Sequence, residues 1–412
     1  MKHLLQCDQD VGLLLQQEEQ AFSKRLNFIA SENHAPASVL EALGSIFNDR
    51  YVEGYPGKRY YAGCQVADTI EELAIKRCKD LFNADHANVQ PHSGSQANMA
   101  VFFSVLDPGD IVMGMSLVAG GHLSHGHHVN FSGKFYKSVQ YSVNPKTEFI
   151  EYDAVHELAQ QHKPKLIIAG GSSYGRIIDF EKFKEIADSV GAYFLVDIAH
   201  TVGPILAQLF PNPTPYADFI TGTTHKALRG PRGGFILCKK KHQEIIDRAV
   251  FPGIQGGPAF NNIAAKAIAF KAASQPEFVT YIKNAVKTAK TMVRAFEKLQ
   301  YRIVSGGTDT ALFVVDLTNK GISGRDAEKL LEKADILVSR SAIPFDKQPP
   351  MNPSGIRIGT LSYTTQGFQE HQIEEVVAII NKLICNPTND TVLSDIRRVV
   401  HSITKHAQRN DC

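Results

Sequence analysis

Short, mostly apolar runs alternate with amphipathic stretches through the middle of the chain. The runs cover 110–114, 165–169, 192–196, 217–221 and 234–238, each the length of a buried strand. Between and before them apolar residues recur at helical spacing: Ile70, Leu73, Ala74, Cys78 and Leu81 within 68–81, and a second set within 180–190. Strands without a polar face, alternating with helices, predict an α/β domain whose mostly parallel sheet is covered on both sides. Ligands of such sheets bind outside the carboxyl ends of the strands.

The flanking pattern is different. Residues 8–24 form an amphipathic arm with Val11, Leu14, Leu15 and Phe22 on one side, and 26–33 is an apolar run closing in a polar turn. Residues 48–63 hold four tyrosines and three glycines with neither period, which marks a surface or interface loop, and long ordered loops tend to be functional. A Gly/Pro loop at 251–262 precedes a helical stretch over 263–299 interrupted near Pro276. From about residue 300 short strands (301–305, 311–317, 336–339, 355–359) and helices (325–333, 368–384) predict a small α+β unit. A last amphipathic helix covers 389–404. The expected division is an arm (1–25), a large α/β domain with its connecting helix (26–299), a small C-terminal α+β domain (300–385) and a helical tail (386–412).

Composition narrows the class. The 412 residues are 43% hydrophobic and 21% charged, as in a soluble globular enzyme of two domains. A net charge of +2, with Lys and Arg scattered, argues against nucleic acid or a membrane surface as partner. No apolar run approaches the ~20 residues of a membrane span. The six cysteines follow no regular spacing and read as reduced thiols of a cytoplasmic protein.

Candidate chemistry centres on 217–234. A lysine in a turn is most often a hydrated surface group, but Lys226 lies between two apolar runs and is held. Upstream, the run at 192–196 ends directly in Asp197. A carboxylate at one strand end and a lysine after the next is what a pyridoxal phosphate site needs: the lysine forms an imine with the aldehyde, and the Asp pairs with the protonated ring nitrogen. Pro91-His-Ser-Gly-Ser-Gln-Ala-Asn98 opens a helix, so Ser93, Gly94 and Ser95 are either an ordinary N-cap or a phosphate cradle, and Asp197 and Lys226 favour the cradle. His122, His125, His127 and His128 match no ligand spacing for a metal, and none is expected; a ring over a cofactor face is the better use of one of them.

These stretches resemble the serine hydroxymethyltransferase family over about residues 20–385. The motifs include Ile29-Ala-Ser-Glu-Asn33, Glu53-Gly-Tyr-Pro-Gly-Lys-Arg-Tyr-Tyr61, Gly120-Gly-His-Leu123, Val196-Asp-Ile-Ala-His200, Thr223-Thr-His-Lys226, Gly230-Pro-Arg-Gly-Gly234, Gln255-Gly-Gly-Pro258 and Ser354-Gly-Ile-Arg-Ile-Gly359. The resemblance implies a fold-type I pyridoxal phosphate-dependent transferase. It also implies transfer of the serine hydroxymethyl group to tetrahydrofolate, giving glycine and 5,10-methylenetetrahydrofolate. By position, Lys226 carries the cofactor, Asp197 meets the ring nitrogen, His122 stacks on the ring and His200 lies near its hydroxyl. Ser93, Gly94, Ser95 and His225 hold the phosphate, Ser172 and Thr223 complete the cofactor site, and Arg357 with Ser31 clamps the substrate carboxylate.

The family builds its sites across a homodimer, so Tyr51 and Gly257 are implied to reach the neighbour's phosphate, and Glu53 and Tyr61 the neighbour's substrate. Leu117 and Leu123 resemble apolar folate contacts. Ser341 departs from a usual Asn beside the pteridine; Ile254, Gly171, Ala119 and Leu361 are further departures. The alternative is a folate-independent threonine or β-hydroxy-amino-acid aldolase or transaldolase of the same family.

Overall fold

The computed structural model describes residues 2–368 and 370–405. Seven strands form the central sheet: β1 (His86–Asn88), β2 (Ile111–Met115), β3 (Lys137–Tyr141), β4 (Leu166–Gly170), β5 (Tyr193–Asp197), β6 (Phe219–Thr223) and β7 (Gly234–Cys238), in the order β1-β7-β6-β5-β4-β2-β3. The pairs β2–β3, β2–β4, β4–β5 and β5–β6 are parallel, while β7 runs antiparallel to both β6 and β1. The molecule is thus α/β with a mostly parallel sheet.

Both faces of the sheet are covered, and the period-2 alternation of strand side chains sorts the apolar residues between them. Ile167, Ala169, Phe194, Val196 and Ile220 pack against helices Gln65–Phe82, Phe180–Val190 and Phe260–Ala273. Leu166, Ile168, Leu195, Phe219 and Ile236 face the other way, against Ala97, Val101 and Phe102 of helix Gly94–Val105. This double cover is why β4, β6 and β7 are buried at every position.

A second, wholly antiparallel sheet orders Arg302–Ile303, Leu312–Asp316, Gly355–Gly359 and Ser339–Ser341 side by side. Its core takes in helices Gly324–Lys333 and Ile373–Ile384, the later half of helix Pro276–Lys298, and helix Asp390–Lys405 through Ile396, Val400 and Ile403. Leu26 and Phe28 also pack here, because Leu26–Asn27 pairs in parallel with Ile336–Leu337. The Phe28 carbonyl then accepts from the Gly359 N–H at 2.8 Å, which carries the following residues toward the first sheet.

Several elements differ from the sequence expectation. The strand expected at 301–305 is two residues long and turns at Ser305, whose φ is +56°. The run 336–339 divides between two sheets, Ile336–Leu337 pairing with Leu26–Asn27 and Ser339–Ser341 with residues 355–357. The helix expected from 368 begins at Ile373, after a 3-10 turn, and residue 369 lies outside the described residues. Loop 48–63 holds a small hairpin, Gly54–Tyr55 against Lys58–Arg59, with positive φ at Gly57 in its turn and at Gly54 where it begins. Cys7, Cys64, Cys78, Cys238 and Cys385 are free thiols, and Cys412 lies outside the described residues. Among the described residues no helix is long and apolar enough to cross a membrane.

Candidate active site

Asp197 is the last residue of β5 and Lys226 follows β6 by three residues, so adjacent parallel strands deliver both to one edge of the sheet. A cavity of about 330 Å³ opens there. Ser31, Ser93, Gly94, Ser95, His122 and Ser172 line it, together with Asp197, His200, Thr223, His225, Lys226 and Arg357. Twelve residues singled out in the sequence therefore meet in one place.

The floor is a hydrogen-bonded network around Asp197. Its Oδ2 accepts from Asn98 Nδ2 at 2.9 Å and lies 3.0 Å from His125 Nε2; its Oδ1 accepts from the Ala199 N–H at 2.9 Å. The Nδ1 of His125 accepts from the His122 N–H at 3.3 Å, so Nε2 carries the proton and donates to Asp197. Asn98 also donates to Ser124 Oγ at 2.8 Å and accepts from Thr221 Oγ1 at 2.6 Å. Ser124 Oγ lies 2.7 Å from His122 Nδ1. One chain of contacts thus sets the carboxylate and the His122 ring together. Burial alone would raise the Asp197 carboxyl, but the hydrogen bonds from His125 and Asn98 outweigh it and hold Asp197 below the usual carboxylate range.

Ligand atoms of His122, His125 and Asp197 lie within 4.8 Å of one another, so the carboxylate that is remote in sequence is near in space. Those of His125 and Asp197 already serve the network just described.

The walls are cationic. Burial lowers Lys226 to about 8, Arg357 and Arg232 push the same way, and Asp197 opposes them. Burial lowers Arg357 to about 10; its Nη1 donates to the carbonyl and the hydroxyl of Ser172 at 2.8 and 2.9 Å. Neither partner is charged, so the guanidinium faces the cavity chemistry uncompensated by them. Burial also takes His122 and His225 down to about 4 and His200 well below its ordinary value, so all three rings are neutral at pH 7. The Nδ1 of His225 is buried with no hydrogen-bond partner among the described residues.

Two segments frame the opening. The Ser93 hydroxyl caps its helix by accepting from the Gln96 N–H at 3.1 Å, so Ser93 is an N-cap as well as a lining residue. Helix geometry leaves the other first-turn N–H groups, of Gly94 and Ser95, without intrahelical acceptors beside the cavity. A Cβ on Gly94 would stand 2.7 Å from Thr223 Cγ2, so glycine is what keeps this cradle close to the strand ends. Opposite, Asn33 donates to the Lys226 carbonyl at 2.8 Å and fixes the turn that presents Ser31.

The remaining candidates lie elsewhere on the chain. Tyr51, Glu53, Tyr61 and Gly257 do not line this cavity. They form their own cluster: the Tyr51 and Tyr61 rings meet edge to face at 5.2 Å, and Gly257 has room only for hydrogen beside the Tyr51 ring. Leu117, Leu123 and Ser341 are also outside the cavity lining, and the Ser341 hydroxyl donates to the Ala342 carbonyl at 3.1 Å. Sequence reasoning gave no role to His125, Asn98 or Arg232. His125 was one of four clustered histidines, and only burial distinguishes it; Arg232 stood in the quoted Gly-Pro-Arg-Gly-Gly run, whose lone cation was the available signal. A family model described as serine hydroxymethyltransferase matches residues 4–380.

Proposed function

The chain belongs to the serine hydroxymethyltransferase family, a pyridoxal phosphate-dependent enzyme family, and we propose that it moves the hydroxymethyl group of L-serine to tetrahydrofolate, yielding glycine and 5,10-methylenetetrahydrofolate. The observation that carries this reading is the pairing of Lys226 and Asp197 in one cavity with Arg357, whose side-chain partner is neutral. The residues fit the cofactor: a glycine-tight cradle at a helix N-terminus, a His225 Nδ1 without a partner among the described residues, and a carboxylate held ionised.

In this reading the bound cofactor supplies an electron sink for the carbanion left on the substrate. Ser93, Gly94, Ser95 and His225 bind its phosphate, Thr223 completes the cofactor site, and Asp197 keeps a proton on its ring nitrogen. His122 and Ser172 orient the ring, and His200 stands by its hydroxyl. Lys226, lowered to about 8, offers a neutral amine at physiological pH more often than a surface lysine does. Arg357 and Ser31 hold the substrate carboxylate. Tyr51, Glu53, Tyr61 and Gly257 serve the cavity of a second copy, Glu53 and Tyr61 handling the proton of the substrate hydroxyl, so the working unit is a homodimer. Leu117 and Leu123 offer apolar surface to the folate. The setting is cytoplasmic.

Ser341 supports a second reading, since its hydroxyl is engaged by the Ala342 carbonyl: a folate-independent aldolase or transaldolase of threonine-like amino acids. Glycine formation from L-serine, with and without tetrahydrofolate, decides between them. Folate-stimulated turnover is expected. Turnover of serine indifferent to folate, with faster cleavage of threonine or allo-threonine, would establish the aldolase instead.

A further inference from the structure

Lys266, on helix Phe260–Ala273, is among the most deeply buried residues of the molecule and has no part in the chemistry above. Its Nζ donates to three carbonyls, Val89 at 2.6 Å, Gly234 at 2.9 Å and Pro91 at 3.0 Å. Three acceptors need three N–H donors, which an ammonium has and a neutral amine lacks. Burial pulls the group down to about 7, but those carbonyls favour the charged form. The Cys78 thiol and the Glu71 carboxylate favour its charge, but Glu71 is already bonded to Arg59 at 2.5 Å and to Gln90 at 2.8 Å.

The three carbonyls belong to the two backbones that make the anion cradle. Residues 89–92 lead directly into Ser93, and Gly234 starts β7, whose N–H donates back to the Pro91 carbonyl at 3.0 Å. On the other side of the same segment Gln255 donates to the Gln90 carbonyl and accepts from the His92 N–H, each at 3.1 Å. The extended lead-in to the cradle is thus held by a cation on one side and an amide on the other. Gly233 gives the lysine stem its path: a Cβ there would lie 2.5 Å from Lys266 Cε. An apolar side chain of the same length would fill this space without the cost of burying a charge.

The geometry points to Lys266 as a positioning residue of the phosphate cradle, fixing the approach of residues 89–92 and β7 so that the Ser93–Gly94–Ser95 turn faces a phosphate monoester, and placing a buried positive charge behind that anion. The inference rests on the cofactor reading above. It concerns the phosphate alone, so it separates from that reading by comparing pyridoxal phosphate with pyridoxal, which lacks the phosphate.

Dissociation constants for both would be measured on the full-length chain freed of cofactor, as wild type and as Lys266→Met, with inorganic phosphate as competitor. The variant is expected to bind pyridoxal phosphate at least about tenfold more weakly, to bind pyridoxal within about twofold of wild type, and to lose competition by inorganic phosphate. Equal weakening for both compounds, or none for either, would overturn the assignment. Wild type that binds pyridoxal phosphate no better than pyridoxal would instead count against the cofactor reading itself. Should Lys266→Met fail to fold, Gly233→Ala keeps the lysine but crowds its stem, and the same selective loss is expected; an unchanged ratio there would overturn the proposal.

Discussion

The cavity at Lys226 and the cluster at Tyr51, Glu53 and Tyr61 are built on opposite principles. Lys226 is 9% exposed and sits at the end of a sheet buried on both faces, and burial moves its ionisation and those of Arg357, His122 and His225. Tyr51 and Tyr61 are 57% and 48% exposed, on a loop held by the Arg59 guanidinium, which donates to the Gly54 carbonyl at 2.7 Å and to Asp68 at 2.7 Å. There the charge of Glu53 raises the Tyr61 phenol above its ordinary value. The first region has its chemical environment within one chain. The second has its two tyrosines arranged but exposed to solvent. This contrast motivates placing the loop against a second copy, whose cavity it would cover.

The largest expected effect tests the buried region. Lys226→Ala should abolish the borohydride-fixed bond between protein and cofactor and lower kcat by roughly 10⁴-fold or more. Asp197→Asn, which keeps the shape but removes the charge, should lower it by about 10²–10³-fold. Peptide mapping that found the fixed cofactor on another lysine would sink the assignment of the 217–234 stretch.

The second test asks whether the exposed region serves a neighbour. Lys226→Ala and Glu53→Gln should each be inactive alone. After subunit exchange, a dimer of one of each has one composite site with both residues native, so equal mixing should restore about a quarter of the wild-type rate. Exchange proven by differential labelling with no recovery of activity would mean that each site is built within one chain.

A third test reads the buried region by pH. The ordinary lysine value is 10.5 and burial brings Lys226 to about 8, so its neutral, nucleophilic form grows as pH rises through 8 rather than through 10.5. At pH 7 roughly a tenth of it is neutral, against about one part in 3,000 for an ordinary lysine. The rate at which cofactor-free protein captures pyridoxal phosphate covalently should therefore climb from pH 6 and level off above pH 8. Stability follows the same sign: the unfolded chain binds the extra proton between pH 8 and 10.5, so the cost of the buried ammonium is present below 8 and relieved over that window. A capture rate still rising steeply at pH 10 would contradict the burial argument.

The contrast between the two regions also explains what could be read from the chain. Interior strands such as β5 and β6 announce themselves because both faces are buried, and their ends located Asp197 and Lys226 without any knowledge of the fold. The outer strands do not. β3 is Lys-Ser-Val-Gln-Tyr, exposed at three of its five positions, and β1 is three residues long, both at sheet edges where polar residues are tolerated. Neither carries an apolar run, and neither was expected. The His125–Asp197 contact spans 72 residues, and nothing local separates His125 from its three neighbours. Spacing along the chain finds what secondary structure aligns; it does not find partners that only tertiary packing brings together.

The smallest effect probes the edge of the site, at Ser341. A serine hydroxyl is shorter than an asparagine amide and offers one donor where the amide offers two donors and an acceptor. Here that donor already goes to the Ala342 carbonyl, so a pteridine nearby would meet a missing or water-bridged hydrogen bond. Such a loss is worth roughly 0.5–1.5 kcal/mol, or about threefold to tenfold in affinity. That weakens folate use without removing it while Leu117 and Leu123 keep their apolar surface. Ser341→Asn should accordingly lower the apparent Michaelis constant for tetrahydrofolate by up to about tenfold and leave that for serine unchanged. An equal shift for both substrates would place Ser341 in the amino-acid site rather than the folate site. No shift for either, with serine cleavage indifferent to folate in both proteins, would remove the folate reading and leave the aldolase.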